Sequence, residues 1–286
     1  MLQFDIIIVG AGISGLYQLH KLRDELNLKT LAIEEGSDIG GTWYWNRYPG
    51  ARCDSESYTY GYTFSEKIYK NWTWKEKYPK QNTILKYLKF VEKKLNLRKN
   101  ILFNNKIISG KYLEKKNLWE IKTNKNKIFL CKYLICAAGS LSATNIPNIK
   151  GLKTFKGKYY HTGRWPKKKV NLKDQIVAQI GTGSSGIQVA PEIAKIVKKL
   201  VIFQRTPNFS IPARNKKLTK EFISNFKKDY EKIKKRLRKT PGGHTFSFPK
   251  RSVFDFTLKE RNKIYEKAWR KGSLSFRACF GDITKS

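Results

Sequence analysis

The sequence predicts an α/β protein built from two strand–turn–helix–strand units. Three observations predict it: one glycine pattern occurs twice, each copy follows an apolar run, and each leads into helical periodicity and a second apolar run. Both units end on a charged residue at the same distance, and its sign differs. Glu34 stands 24 positions after Gly10, and Arg205 stands 24 positions after Gly181.

In the first unit Ile6 to Val9 is continuously apolar, as expected of a strand buried on both faces. Gly10-Ala11-Gly12-Ile13-Ser14-Gly15 follows it. Leu16, Leu19, Leu22 and Leu26 then stand at helical spacing, and Thr30 to Ile33 returns as a strand. Residues 40–63 interrupt the pattern with glycines, Pro49 and many aromatics, which predicts a structured loop. Ile84, Leu85, Leu88 and Val91 predict an amphipathic helix over 83–95. Strands are expected at 102–108 and 118–121, and the run 132–139 closes the unit on Gly139.

Pro147, Gly151 and Gly157 mark a connecting segment. The second unit repeats the plan: strand 176–180, Gly181-Thr182-Gly183-Ser184-Ser185-Gly186, helix 186–198 and strand 200–204. Over 216–239 the residues Leu218, Phe222, Phe226, Tyr230 and Ile233 recur at spacings of three and four, which predicts one solvated helix with a buried stripe. A further helix is expected over 257–270.

Composition narrows the class. At 286 residues with 40% hydrophobic and 13% aromatic residues the chain is globular. Net charge is +37, but 46 of the 59 basic residues are lysines spread through every segment, a chain-wide bias and not a nucleic-acid patch. Specific nucleic-acid binding is therefore not expected. No apolar stretch reaches the roughly 18–20 residues of a membrane span. The four cysteines show no metal-ligand spacing with His20, His161 or His244, so no metal site is expected and the natural compartment is the cytoplasm.

The repeated glycines have a specific use. In a G-x-G-x-x-G turn between strand and helix the first two glycines allow a tight turn and close approach of a pyrophosphate. The third lets the helix pack on the strand, and the helix N-terminus attracts the phosphates. A carboxylate at Glu34 suits a free ribose hydroxyl, whereas a guanidinium at Arg205, with Thr206 beside it, suits a 2′-phosphate. The pair points to two Rossmann-like domains, one for FAD and one for NADP(H).

The connecting segment carries Phe155-x-Gly157-x-x-x-His161-Thr162-x-x-Trp165-Pro166. With the loop Gly40 to Asp54 and the stretch Ala138 to Ser142, this resembles the fingerprint of the type I Baeyer–Villiger flavin monooxygenases. The resemblance covers essentially the whole chain. It implies that Gly10, Gly12, Gly15, Glu34, Thr42, Trp43, Tyr44, Trp45, Asp54, Tyr60 and the backbone at Ile107 contact FAD. It further implies that Arg52, Cys53 and Asp54 line the place where nicotinamide meets flavin. NADP would be held by Gly181, Thr182, Gly183, Ser184, Ser185, Gly186, Ile187, Gln204, Arg205 and Thr206. Asp54 is expected to support a catalytic arginine. His161, lying in the connection, is expected to have a conformational role in preference to proton transfer.

The implied activity is NADPH- and oxygen-dependent insertion of oxygen beside a ketone carbonyl through a peroxyflavin. The alternatives are an N- or S-oxidising flavin monooxygenase, an inactive nucleotide-binding fragment, or half of a two-chain enzyme. The family's catalytic arginine aligns beyond residue 286, so the flavin domain is expected to be incomplete and a separate C-terminal chain is one possible partner. The expected boundaries are an FAD domain at 1–145, a linker at 146–166, and an NADP domain at 167–286 with a helical insertion from about 215.

Overall fold

The computed structural model describes residues 2–282, and by packing they fall into two units. The first comprises residues up to Ala51 together with Gln81–Lys173; the second comprises Arg52–Lys80 together with the chain from Asp174 onward. Residues 52–80, grouped with the first unit in the sequence reading, thus pack with the second.

In the first unit strands β1 (Leu2–Val9), β2 (Thr30–Ile33), β3 (Ile101–Leu102), β4 (Ile107–Leu113), β5 (Leu118–Thr123) and β6 (Ile128–Cys136) form one sheet in the order β3-β2-β1-β6-β5-β4. β1 runs parallel to β2 and β6, and Val9 is in register with both Ile33 and Cys136. The carboxyl ends of these three strands therefore lie level. The chain winds from β1 out to β3, crosses to β4 at the opposite edge and returns through β5 to β6 beside β1, which makes the top of β1, between β2 and β6, a topological switch point, the place where such sheets bind ligands. β5 is antiparallel to both neighbours, so β4, β5 and β6 form a meander with β4 at the far edge.

Ile6, Ile7 and Ile8 are buried at 3%, 0% and 0% exposure, which accounts for the unbroken apolar run. Helix α1 (Ile13–His20) buries Leu16 and Leu19, and continues as a wider π-type turn over Lys21–Glu25. Leu26, expected on the buried stripe, is 55% exposed because that turn ends on it. Helix α2 (Gln81–Lys94) buries Ile84, Leu88 and Val91 as its period predicts. The stretch 102–108 is not one strand: Asn104 takes φ +56° and turns the chain between β3 and β4.

In the second unit β7 (Ile176–Ile180) and β8 (Lys199–Phe203) pair in parallel, with helix α3 (Ser184–Ile193) between them in sequence. The expected helix to 198 ends early. The helix passes through Pro191 and ends at Ile193, and by Lys198 the backbone N–H reaches the Gln175 carbonyl at 2.9 Å instead of continuing a helix.

The single helix expected over 216–239 is two, α4 (Lys220–Lys228) and α5 (Tyr230–Lys239). They break at Asp229, whose ψ of 21° departs from the helix. Buried Tyr230 fixes the second helix by donating from its hydroxyl to the Thr63 carbonyl at 2.7 Å. Helix α6 (Leu258–Lys271) starts at a capping box formed by Thr257 and Glu260. A strip of backbone bonds joins residues 75–77 to 216–218: Lys77 N–H to Lys216 C=O and Leu218 N–H to Lys75 C=O, both at 2.9 Å. This strip fastens 52–80 into the second unit.

Candidate functional site

The first glycine turn sits at the carboxyl end of β1. Gly10 has φ +96°, and a Cβ on Gly15 would stand 2.0 Å from the Gly10 carbonyl oxygen, so only glycine lets α1 start this close to the strand. Glu34 follows directly on β2 and is 4% exposed. Its two carboxylate oxygens accept the N–H groups of Ala11 and Gly36, each at 2.7 Å. The Glu34 N–H bonds the Leu102 carbonyl at 2.9 Å and the Asn105 N–H bonds the Glu34 carbonyl at 3.0 Å, so the chain leading to Ile107 runs beside it.

Gly40 donates to the Ala11 carbonyl at 3.0 Å, and a Cβ on Gly41 would stand 2.9 Å from Gly12 Cα. The loop that carries Thr42, Trp43, Tyr44 and Trp45 is therefore stacked backbone to backbone on the glycine turn. These four residues form a short helix, Thr42–Trp45, in which Trp43 and Tyr44 are buried and Thr42 is exposed. The Tyr44 hydroxyl accepts the Ser37 N–H at 3.1 Å. Burial raises the Tyr44 phenol, but hydrogen bonding to Lys167 and Ser37 outweighs it and leaves the group below its usual value.

The fingerprint segment docks on this same loop. The Arg164 guanidinium lies 4.0 Å from the Trp45 ring centre and 3.1 Å from a Glu35 carboxylate oxygen. His161 caps the turn Thr162–Arg164, its Nδ1 accepting the Gly163 N–H at 3.1 Å. Nδ1 is thereby engaged in forming this turn.

In the second unit Gly181 has φ +97°, within a degree of Gly10, and a Cβ on Gly186 would stand 2.5 Å from the Gly181 carbonyl oxygen. Gln179, one residue before Ile180, turns its amide NH2 onto the carbonyls of Gly181 and Gly186 at 3.0 and 3.2 Å. Gly183 caps α3, and a Cβ there meets nothing within 4 Å. Ser184 and Ile187 are exposed, with Ser185 half-buried between them. Gln204 donates to the Thr182 hydroxyl at 2.7 Å, so the end of β8 and the glycine turn converge. Arg205 and Thr206 follow, both exposed, and the Arg205 guanidinium has no hydrogen-bond or ion-pair partner among the described residues.

Arg52, Cys53, Asp54 and Tyr60 all belong to this second unit. Gln188 of α3 holds Arg52 by both its backbone groups: its carbonyl accepts the Arg52 N–H and its NH2 donates to the Arg52 carbonyl, each at 3.2 Å. Cys53 is buried, which pushes its thiol up to about 12, while Asp54 is exposed. Tyr60 ends the short helix Ser57–Tyr60.

Sequence reasoning missed Gln188, Gln179, Glu35 and Arg164. Gln188 alone had a visible signal, a polar residue one turn into the helix after the second glycine pattern. Among the described residues no helix is long and apolar enough to cross a membrane, and no three His, Cys, Asp or Glu side chains group as a metal site.

The residues present fit dinucleotides. Two glycine turns with matching φ at their first glycine each lead into a helix N-terminus; a buried carboxylate stands by one, and by the other a guanidinium without a partner among the described residues. Parallel strands, glycine turn and helix, given twice, define the class as an α/β fold of the Rossmann-like, nucleotide-binding kind.

Within that class the chain belongs to the flavin-binding monooxygenase-like family, whose model matches residues 4–221. It is 39% identical to the cyclohexanone 1,2-monooxygenase of an Acinetobacter species over 285 residues, 99% of this chain and 52% of that protein. It is 37% identical to phenazine N-monooxygenase PhzNO1 of Lysobacter antibioticus, over 98% of this chain and 52% of that one. Among solved structures, cyclohexanone monooxygenase from Rhodococcus sp. Phi1 bound to NADP+ superposes with a TM-score of 0.96 at 39% identity, covering 100% of this chain and 54% of that chain. The chain thus spans about half the length of the curated relatives it matches.

Proposed function

We propose that the chain holds FAD on its first unit and NADP(H) on its second, as part of a monooxygenase that uses NADPH and molecular oxygen to insert oxygen beside the carbonyl of a small ketone. The observation that carries this reading is the pair of glycine turns at φ +96° and +97°, one closed by buried Glu34 and the other by unpaired Arg205. The likeness to cyclohexanone 1,2-monooxygenase supports the ketone. Four free cysteines support a cytoplasmic setting.

The bound flavin supplies the electron transfer and oxygen activation that side chains lack. This chain's residues bind and orient. The N-termini of α1 and α3 face phosphates, Glu34 keeps lone pairs for ribose hydroxyls, and Arg205 with Thr206 meets the 2′-phosphate. Asp54 offers an exposed carboxylate, and His161 with Arg164 fixes the connecting segment to the loop at Trp45.

A second reading has its own support. Phenazine N-monooxygenase matches this chain nearly as well as the ketone-oxidising relative, at 37% against 39%, so identity does not separate nitrogen from carbonyl acceptors. The purified chain, given FAD and NADPH, is tested with a cyclic ketone and with a phenazine. Lactone supports the ketone reading and N-oxide the other. Retained nucleotides without either product point to a nucleotide-binding part that works with a second polypeptide. Arg205→Ala is expected to weaken NADPH by about 1–3 kcal/mol and leave NADH unchanged; equal losses would remove the 2′-phosphate assignment.

A further inference from the structure

Gln188 stands one turn into α3, and a helical side chain leans back toward the helix N-terminus. Its amide meets both backbone groups of Arg52, at 3.2 Å each, across 136 residues of sequence. A primary amide that both donates to and accepts from one residue sets that residue's position and orientation together, as one strand does for another. The chain on either side of Arg52 is pinned too: the Cys53 N–H bonds the Pro79 carbonyl at 3.0 Å, and Arg52 bridges Lys80. The Arg52 guanidinium has no hydrogen-bond or ion-pair partner among the described residues. A half-buried cation without a partner is therefore held against the first turn of the helix that follows the second glycine pattern.

We propose that Gln188 is a positioning residue that fixes Arg52 beside the first turn of α3, so that the Arg52 guanidinium meets the pyrophosphate-bearing part of the bound nicotinamide dinucleotide. This rests on the reading of the second unit as the NADP(H) site. A dianionic pyrophosphate suits a guanidinium, which offers paired N–H donors at fixed geometry. Arg205 answers the 2′-phosphate; Arg52 answers the diphosphate.

The test is a double-mutant cycle on NADP+ affinity, measured by calorimetry with Gln188→Met, which keeps length and volume, Arg52→Met, and both together. Arg52→Met is expected to weaken NADP+ roughly tenfold, and Gln188→Met by a comparable factor. The double variant should bind no worse than Arg52→Met alone, because Gln188 acts through Arg52. Gln188→Asn, one methylene too short to span the gap, repeats the measurement should the methionine variant fold poorly, and circular dichroism melting checks each protein. Multiplying losses, or unchanged NADP+ affinity in Gln188→Met, would overturn the proposal. Wild-type protein that binds no NADP+ would overturn the nucleotide reading itself, and this inference with it.

Discussion

The Glu34 carboxylate accepts the Ala11 N–H at 2.7 Å and, through its other oxygen, the Gly36 N–H at 2.7 Å. Glu34 therefore ties the glycine turn after β1 to the loop after β2 before any ligand is considered. Glu34→Ala strands two N–H groups in the fold, an expected loss of about 2–4 kcal/mol in denaturant unfolding. Glu34→Gln keeps one acceptor and turns an NH2 toward the other N–H, so it should lose about half of that. An unchanged unfolding midpoint in the alanine variant would show that the carboxylate does not hold the turn.

The second and third glycines of the pattern do different jobs. A Cβ on Gly15 meets the Gly10 carbonyl at 2.0 Å, whereas one on Gly183 meets nothing within 4 Å. Gly15→Ala should cost about 3 kcal/mol or more and lower the yield of folded protein. Gly183→Ala should melt within a degree or two of wild type. Any loss of NADP+ affinity in Gly183→Ala then reports a ligand close to the backbone and not damage to the fold.

Much of this was legible in the sequence because it is local. A glycine turn needs only its own six residues and the strand before it, and both copies stand where the pattern put them. The placement of Glu34 against the first turn, and of Arg205 just past the strand end that meets the second, followed from distance alone. What lay beyond reading depends on contacts between distant segments. The bonds of 75–77 with 216–218, and of Gln188 with Arg52, join lysine-rich or polar stretches that carry no periodic signal. The helix break at Asp229 was hidden for a related reason: the apolar spacing runs on through it, and only the docking of Tyr230 on Thr63 shows the change of direction.

Arg164 links the fingerprint segment to the loop at Trp45 by an ion pair with Glu35 at 3.1 Å and a ring contact at 4.0 Å. Arg164→Met should free the segment 161–166 and raise hydrogen exchange at both 161–166 and 40–46, at a cost of about 1–2 kcal/mol. Arg164→Lys keeps the charge but not the flat face, and should recover only part of the protection. Exchange rates unchanged in both stretches would show that the segment is held by other contacts.

Three of the four thiols should react in an order set by burial. Cys136 is exposed, whereas Cys53 and Cys131 are buried, which pushes their thiols up to about 12 and about 11. A brief iodoacetamide pulse at about pH 8.5, where an ordinary thiol is half ionised, should alkylate Cys136 first and leave Cys53 and Cys131 intact until denaturant is added. Mass spectrometry of the peptides reads the order. Early labelling of Cys53 would mean that the loop at Arg52 opens in solution.

Asp38 gives the chain an acid-side weakness. Burial raises its carboxyl, but hydrogen bonds from Lys89 at 2.6 Å, Arg98 at 3.0 Å and the Ile39 N–H outweigh that and hold it below the usual carboxylate range. A group whose folded value is depressed stabilises the fold above its unfolded value, near 3.9, and loses that contribution as pH falls through the folded value. Stability of the loop at 36–40 should accordingly decline below about pH 4. Asp38→Asn should cost about 1 kcal/mol at neutral pH, since the pairs are partly solvent-screened, and should flatten the decline below pH 4. Chemical denaturation of both proteins between pH 3 and 7 measures it. Parallel curves for wild type and Asp38→Asn would place the acid sensitivity on other carboxylates.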